Sequence, residues 1–256
     1  MSGAAKSTLV RVGDFFFKWR DLLFPSLLLV LFLGFRPGAG LFGSQTLPQV
    51  VAILGVVLTA GGLSLRFAAI GWAYIIRGGK NKLVYAEDLV TGGYFATCRN
   101  PLYVGNILVY VGLFMVHGNP WVVIGGSAIF GFAYIAIVAA EEHFLRAKFG
   151  SAYEVYSARV ARWIPDFGAL RASCAGMQFS ATRSILKDRV TIFGAGLVIV
   201  VIFALQNHQI ARDSGNMAGA PVGDMWFWAA LAVLLVFVVT ATMAKNRLKR
   251  EGKTAL

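Results

Sequence analysis

The stretch Cys98–Asn106, CRNPLYVGN, sets Arg99, Asn100, Pro101 and Tyr103 directly ahead of a long apolar run. Pro101 suits the first turn of a helix, where its missing N–H is no loss, and Asn100 suits the N-cap, where its side chain can accept a backbone N–H. That assignment leaves Arg99 and Tyr103 unaccounted for. A helix N-terminus with an arginine beside it offers free N–H groups, a positive dipole end and a guanidinium, a combination that takes a carboxylate or a phosphate.

A second group follows the apolar run Trp121–Ala140, where Glu141 and Glu142 stand side by side. One acid there would merely mark where a helix leaves lipid. Two adjacent acids are less expected on a surface normally marked by basic residues, and they suit ribose hydroxyls or a cationic ligand. Beyond them comes HFLRAKFGSAYEVYSARVARWIP, with Gly150 as a helix stop and Tyr153, Tyr156, Val160 and Trp163 at helical spacing. This segment reads either as an amphipathic helix in the headgroup layer, with Arg159 and Arg162 toward phosphates, or as the wall of a cavity closed over the helix ends.

Other chemistries find less support. The histidines are scattered: His117 and His208 fall in expected outside loops, and His143 stands alone beside the acids, so no metal-ligand spacing is present. Neither GxGxxG nor GxxxxGK[ST] occurs, and TGGYFAT lacks the strand a phosphate loop requires. Arg66, near the end of an apolar run, reads as a snorkelling side chain without an assigned role. Cys98 and Cys174 read as reduced thiols on one side of a membrane.

The elements that must hold these residues are membrane helices. The chain has 256 residues, 57% hydrophobic and 14% charged, against about 25% charged in soluble domains. Six spans are expected: Leu22 to Phe35, Leu47 to Phe67, Leu102 to Val116, Trp121 to Ala140, Val190 to Leu205, and Met225 to Met243. The predicted fold class is therefore all-α, a polytopic membrane bundle. The N-terminus shows no small-residue cleavage site, so the first helix is read as retained. Lysines and arginines outside the spans divide 21 against 2 between the two sides, which places both termini in the cytoplasm. The net charge of +12 is then a topology signal facing anionic lipid, and nucleic acid is not expected as a partner.

Three regions are expected: 1–80 with the first two helices, 81–168 as the core, and 169–256 with a basic linker and two further helices. The HGNP turn makes the third and fourth spans antiparallel neighbours. The polar segments Asn81 to Gly105 and Glu141 to Pro165 must therefore meet on the cytoplasmic side, at the ends of helices 3 and 4.

Taken in order, LVTGGYFATCRNPLYVGNILVYVGL, a short apolar hairpin and EEHFLRAKFGSAYEVYSARVARWIP closely resemble the isoprenylcysteine carboxyl methyltransferase and phospholipid methyltransferase group. The matching positions are Gly92 to Tyr94, Arg99, Pro101, Tyr103, Gly105, Glu141, Glu142, Leu145, Phe149, Gly150, Tyr153, Tyr156, Arg162 and Pro165. The resemblance spans Leu89 to Pro165. It implies an integral membrane methyltransferase that uses S-adenosylmethionine without a Rossmann domain and takes a lipophilic acceptor from the bilayer. It further implies that Tyr94, Arg99, Asn100, Pro101, Tyr103, Gly105, Glu141, Glu142, Tyr153 and Tyr156 bind the cofactor, and that Arg99, Tyr103, Glu142 and Arg162 serve catalysis. No metal is implied.

Methyl transfer is an in-line displacement at carbon, so alignment in a water-poor site is the main requirement. A carboxylate acceptor is already ionised and needs only an arginine, Arg99 or Arg162; an amine or thiol must lose a proton, for which Glu141, Glu142 or Tyr103 could serve. An isoprenylcysteine-like carboxylate is favoured over an aminophospholipid or a small lipophilic thiol. The competing class is a non-catalytic transporter or scaffold, against which the bland mid-depth spans speak. Two departures from the family pattern stand out. Asn100 replaces the family's histidine, removing a titratable group, and the last two spans follow the family's final motif, as a lateral wall, a dimer contact or an acceptor entrance. A bacterial inner membrane is favoured over the endoplasmic reticulum.

Overall fold

A computed structural model of the chain describes residues 6–38, 46–72, 84–213 and 225–251. Arg77, the start of the 81–105 segment and most of the loop 206–224 lie outside the described residues. Those described are helical, with eight α-helices and two short 3-10 turns: α1 Thr8–Gly34, α2 Thr46–Trp72, α3 Pro101–His117, α4 Pro120–Phe149, α5 Ser151–Arg159, α6 Leu170–Ser173, α7 Ala181–Asp213 and α8 Met225–Arg250.

Four segments are long and apolar enough to cross a membrane: Gln49–Trp72, Pro120–Phe149, Ala181–Gln209 and Met225–Arg250. Two of the six expected spans fall short of that standard for different reasons. Helix α3 has 17 residues, about 26 Å of rise against a hydrocarbon core of about 30 Å. Helix α1 is long enough, but Arg11, Asp14, Lys18, Arg20 and Asp21 occupy its first half.

Several boundaries differ from the hydropathy reading. Helix α1 begins at Thr8 rather than Leu22, because Ser7 caps it by accepting from the Val10 N–H at 3.4 Å and because Val10, Gly13, Phe17 and Phe24 form one buried stripe. Helix α4 continues past Ala140 to Phe149, carrying Glu141 and Glu142 inside it. The basic linker expected ahead of the fifth span is helical at Leu170–Ser173 and again from Ala181 onward. His117 ends α3 instead of lying in a loop, buried and stacked on Phe32 with ring centroids 4.9 Å apart. His208 likewise belongs to α7.

Helices in lipid gain little from apolar burial against one another, so close van der Waals packing decides which faces meet. Helix α2 pairs with α3 through glycines seven residues apart on each: a Cβ on Gly62 would lie 2.6 Å from the Gly105 carbonyl oxygen, and one on Gly55 2.6 Å from that of Gly112. Helix α1 packs on α4, where Phe17 and Phe24 join Phe114, Phe130, Tyr134 and Ile137 in the main core. The α3–α4 turn is made by Gly118, at φ 77°, a left-handed conformation that favours glycine. Asn119 then caps α4, accepting from the Trp121 N–H at 3.0 Å.

Helix α7 lies against α2, α3 and α8. Ser184 Oγ donates to the Phe67 carbonyl at 2.7 Å and Gln206 Nε2 to the Val116 carbonyl at 2.9 Å, tying both ends of α7 to the α2–α3 pair. Helix α8 packs chiefly on α7, with Ala241 its one buried residue among those described.

Candidate active site

The two polar segments meet. The Arg99 N–H donates to the Ala161 carbonyl and the Asp166 N–H to the Thr97 carbonyl, each at 2.9 Å. Tyr156 Oη donates to the Phe95 carbonyl at 2.7 Å. Cys98 is buried between the segments, donating weakly to the Arg162 carbonyl at 3.4 Å. Burial pushes its thiol above the ordinary value, a shift opposed by the Asn100 N–H and by Arg99. Both cysteines are free thiols.

Asn100 occupies the N-cap position of α3 and Pro101 the first turn, yet the Asn100 side chain makes no capping bond. Its Nδ2 donates to the Arg162 carbonyl at 3.0 Å instead. The expected cap is thus a cross-brace between residues 62 positions apart, made on a carbonyl that Cys98 also reaches.

Glu142 is buried at the centre of an arginine cluster. Arg99 Nη1 lies 3.1 Å from its Oε1, while Arg162 donates from Nε at 3.0 Å and from Nη2 at 2.5 Å. Arg146, one turn along α4, stands 3.7 Å away and also pairs with Glu154 at 3.3 Å. Three guanidiniums face two carboxylates, so the cluster keeps an excess of positive charge. Of the three, Arg99 lines the adjacent cavity, and its Nε is buried without a partner. An orphaned guanidinium N–H beside surplus positive charge is a seat for an anionic oxygen. Tyr153 is fully buried beside Arg99, and its phenol is held above the usual range by burial and the Glu142 charge against the pull of Arg99. Burial likewise raises Tyr156.

The cavity measures about 890 Å³, the size of an ordinary small-molecule site. At its polar end stand Arg99, Asn100, Tyr103, Glu141, Glu142, Tyr153 and Tyr156, seven of the predicted site residues. Tyr103 stands near Glu141 and Arg20 of α1, and all three line this end of the cavity. The 85–90 segment covers this end, held there by Lys148 Nζ donating to the carbonyls of Ala86 and, at 3.1 Å, Glu87. From there the cavity runs between α1, α3 and α7 into apolar surroundings, past Leu28, Val109 and Val198.

Four predicted residues stand outside that lining. Tyr94 serves through its carbonyl, which accepts from the N–H groups of Thr97 and Cys98. Pro101 opens α3, and Gly105 faces α2, where a Cβ would lie 2.5 Å from Arg66 Cγ. Arg162 holds Glu142 from the solvent side, with 44% of its side chain exposed.

Arg66, given no role by the sequence, is buried and lines the cavity. Its Nε donates to Asp188 Oδ2 at 2.9 Å, its Nη2 to Asp188 Oδ1, and its Nη1 to Asn106 Oδ1. An ionisable residue inside an apolar span was the available signal, but its partner lies 122 positions away.

A family model for phospholipid methyltransferase matches residues 50–152, which hold most of α2, all of α3 and α4, and both glutamates. The cobalt-zinc-cadmium resistance protein CzcN of Cupriavidus metallidurans is 30% identical over 164 residues, 62% of this chain and 70% of that protein. The chain belongs to the phospholipid methyltransferase family. The nickel-cobalt-cadmium resistance protein NccN of Alcaligenes xylosoxydans xylosoxydans is also similar, 26% identical over 150 residues, 57% of this chain and 68% of that protein. No solved structure matches. As a member of a family of membrane methyltransferases, the chain places the Arg99–Glu142 contact and both ends of the α3–α4 hairpin within the matched core, whereas α7, which lines the apolar arm, lies beyond it.

Proposed function

We propose that this phospholipid methyltransferase family member is an S-adenosylmethionine-dependent enzyme that methylates a lipophilic acceptor at the cytoplasmic face of a bacterial inner membrane. Under this reading all six long helices cross the bilayer, α1 and α3 with their polar ends in the headgroups, and both termini are cytoplasmic. The observation that carries it is one cavity joining a charged end, at Arg99, Glu141 and Tyr153, to an apolar arm between α1, α3 and α7. A water-soluble donor and a membrane-soluble acceptor can meet there.

The cofactor would supply a methyl group activated on a sulfonium. Among the chain's own residues, Arg99 Nε and the α3 N-terminus suit its carboxylate, the Tyr153 and Tyr156 faces suit a cation, and Glu141 suits an amino or hydroxyl group. Glu142 is assigned to holding Arg99 and Arg162 rather than to contacting either substrate. Tyr103 and Glu141, with Arg20 nearby, line the polar end of the cavity and can orient an acceptor oxygen or take a proton from an amine or thiol. An isoprenylcysteine-like carboxylate remains the favoured acceptor, since such an acceptor needs positioning rather than deprotonation. The relatives' names concern cobalt, zinc, cadmium and nickel resistance. Under this proposal such a link would run through methylation of a membrane constituent.

The test is binding of S-adenosylmethionine to the purified protein in detergent, compared with Arg99→Ala and Glu142→Ala. Saturable binding that both variants weaken supports the reading. A parent protein that binds none would leave a non-catalytic membrane scaffold as the better account.

A further inference from the structure

Helix α1 presents two faces, and only one of them belongs to the cavity. Phe17, Arg20 and Phe24 line the cavity. Arg11 and Phe15 instead lie on the outer flank of the α1–α4 pair, both exposed. There a second pocket of about 530 Å³ is lined by Thr8, Arg11, Val12, Phe15, Phe16 and Phe132, room enough for a headgroup and the start of a chain.

Close packing makes this pocket. Gly13 lies against α4, where a Cβ would overlap the Ala136 carbonyl and stand 2.9 Å from Ala140 Cβ, so the two helices touch backbone to backbone. Phe16 then meets Phe132 edge-on with ring centroids 6.4 Å apart, and Phe15 meets Phe16 likewise at 5.9 Å. The outer two rings stay half exposed, Phe15 at 52% and Phe132 at 51%. The pocket is also polarised along its length. Thr8 and Arg11 sit one turn apart at its start and the phenylalanines follow, over about 12 Å of α1. With a cytoplasmic N-terminus, the hydroxyl and guanidinium end lies toward the headgroups and the aromatic end toward the hydrocarbon. That is the polarity of a phospholipid in the cytoplasmic leaflet.

Charge narrows the class of lipid. Other charges on this half of α1 are engaged within the protein: Lys6 pairs with Asp14 at 2.6 Å, Arg20 reaches Asp21 at 3.8 Å, and Lys18 lies over the Trp19 ring at 5.5 Å. No ion pair among the described residues engages Arg11. A guanidinium beside lipid-facing aromatic surface draws a phosphate oxygen. The nearby carboxylate of Asp14 is already taken by Lys6, so a headgroup ammonium gains nothing there. We infer that Thr8, Arg11, Phe15, Phe16 and Phe132 form a binding site for one anionic phospholipid of the cytoplasmic leaflet, separate from the cavity. Such a site is independent of the reaction the cavity performs. Its occupant clamps α1 onto α4 behind the wall that Phe17 and Phe24 give the cavity.

Full-length protein, stripped of lipid in detergent, is titrated with phosphatidylglycerol and with phosphatidylcholine of the same chains, and retained lipid is counted by native mass spectrometry. Phosphatidylglycerol should be held more tightly, and Arg11→Ala should cut that preference about fivefold, the effect of one cation near an anionic headgroup. Arg11→Lys should keep most of it. Phe132→Ser should weaken both lipids alike, since it removes the apolar wall and leaves the charge. Lys249→Ala, at the exposed end of α8, should change neither. Phosphatidylglycerol should raise the unfolding midpoint of the parent and not of Arg11→Ala, while equal lipid-free midpoints report that the variant is folded. A phosphatidylglycerol analogue with a diazirine near its ester, photolysed in vesicles, should label residues 8–16 and 129–135. Equal weakening by Arg11→Ala and Lys249→Ala would mean a general attraction to the basic face and overturns the site. Labelling confined to α7 and α8 overturns it as well, and so does displacement of the lipid by inorganic phosphate, which would mark a site for free anions.

Discussion

Arg99 and Glu142 face each other at 3.1 Å across the adjoining ends of α3 and α4. The contact joins the two motif segments through a carboxylate that also holds Arg162 and Arg146. Glu142 is thereby committed within the protein, and the group left facing the cavity is Arg99, one of whose N–H groups has no partner.

Glu142→Gln keeps the shape of that centre and removes its charge. Breaking a buried pair by deleting one partner costs roughly 3–5 kcal/mol, and the lower end applies because Arg162 can relax into solvent. Thermal unfolding in detergent should show this loss. S-adenosylmethionine binding should weaken about tenfold or more as Arg99 loses its anchor, measured by calorimetry.

The Arg66–Asp188 pair makes a second prediction of opposite logic. Asp188→Ala leaves a buried guanidinium uncompensated and should destabilise by about 3 kcal/mol or more, whereas an Arg66→Met, Asp188→Leu double variant should recover most of that stability. The unfolding midpoints of the two proteins in the same detergent decide it. Equal losses would mean that the pair's charge does not matter.

Gly105→Ala should separate α2 from α3. Its Cβ would lie 2.5 Å from Arg66 Cγ and 2.9 Å from the Gly62 carbonyl oxygen, an overpacking that costs about 1–3 kcal/mol. Gly125→Ala, where a Cβ meets nothing within 4 Å, is the neutral comparison. The readout is the difference in unfolding temperature between the two.

Much of this arrangement is legible in the sequence, and the limits have a physical cause. The α3–α4 hairpin and the meeting of the segments 81–105 and 141–165 follow from turn chemistry and helix order, which are local properties, whereas spacing alone leaves Tyr153 open between the headgroups and the cavity it lines. Arg66 was passed over because hydropathy registers a charge near a span end as a boundary, and its partner Asp188 sits in what reads as a linker. Arg20 is hidden for the same reason: α1 extends about four turns before its apolar run, carrying that residue into the cavity. Asn100 is in the expected place with an unexpected bond, since the sequence alone does not show that the Arg162 carbonyl will be its nearest acceptor.

Cys98 supplies a pH prediction. Its thiol is raised above the ordinary value of 9.0, burial being the largest cause. The folded state therefore holds its proton where the unfolded chain releases it, so this contribution to stability is complete below the ordinary value and declines as pH rises through the folded one. In a Cys174→Ser background, alkylation of Cys98 by iodoacetamide should be slow at neutral pH, and the fall in unfolding free energy above pH about 9 should be shallower in Cys98→Ala. Rapid neutral-pH alkylation of the folded protein would show that the thiol is neither buried nor protonated.

The central claim is that donor and acceptor meet in one cavity, and methyl transfer tests it directly. Purified protein, S-adenosylmethionine carrying a labelled methyl group and a bacterial membrane lipid extract are incubated, and label in the organic phase is counted. The account predicts label that depends on the protein, falls by about a hundredfold or more in Arg99→Ala, and is carried by a lipophilic product. Binding of S-adenosylmethionine without any transfer to the organic phase, or transfer unaffected by Arg99→Ala, would contradict it.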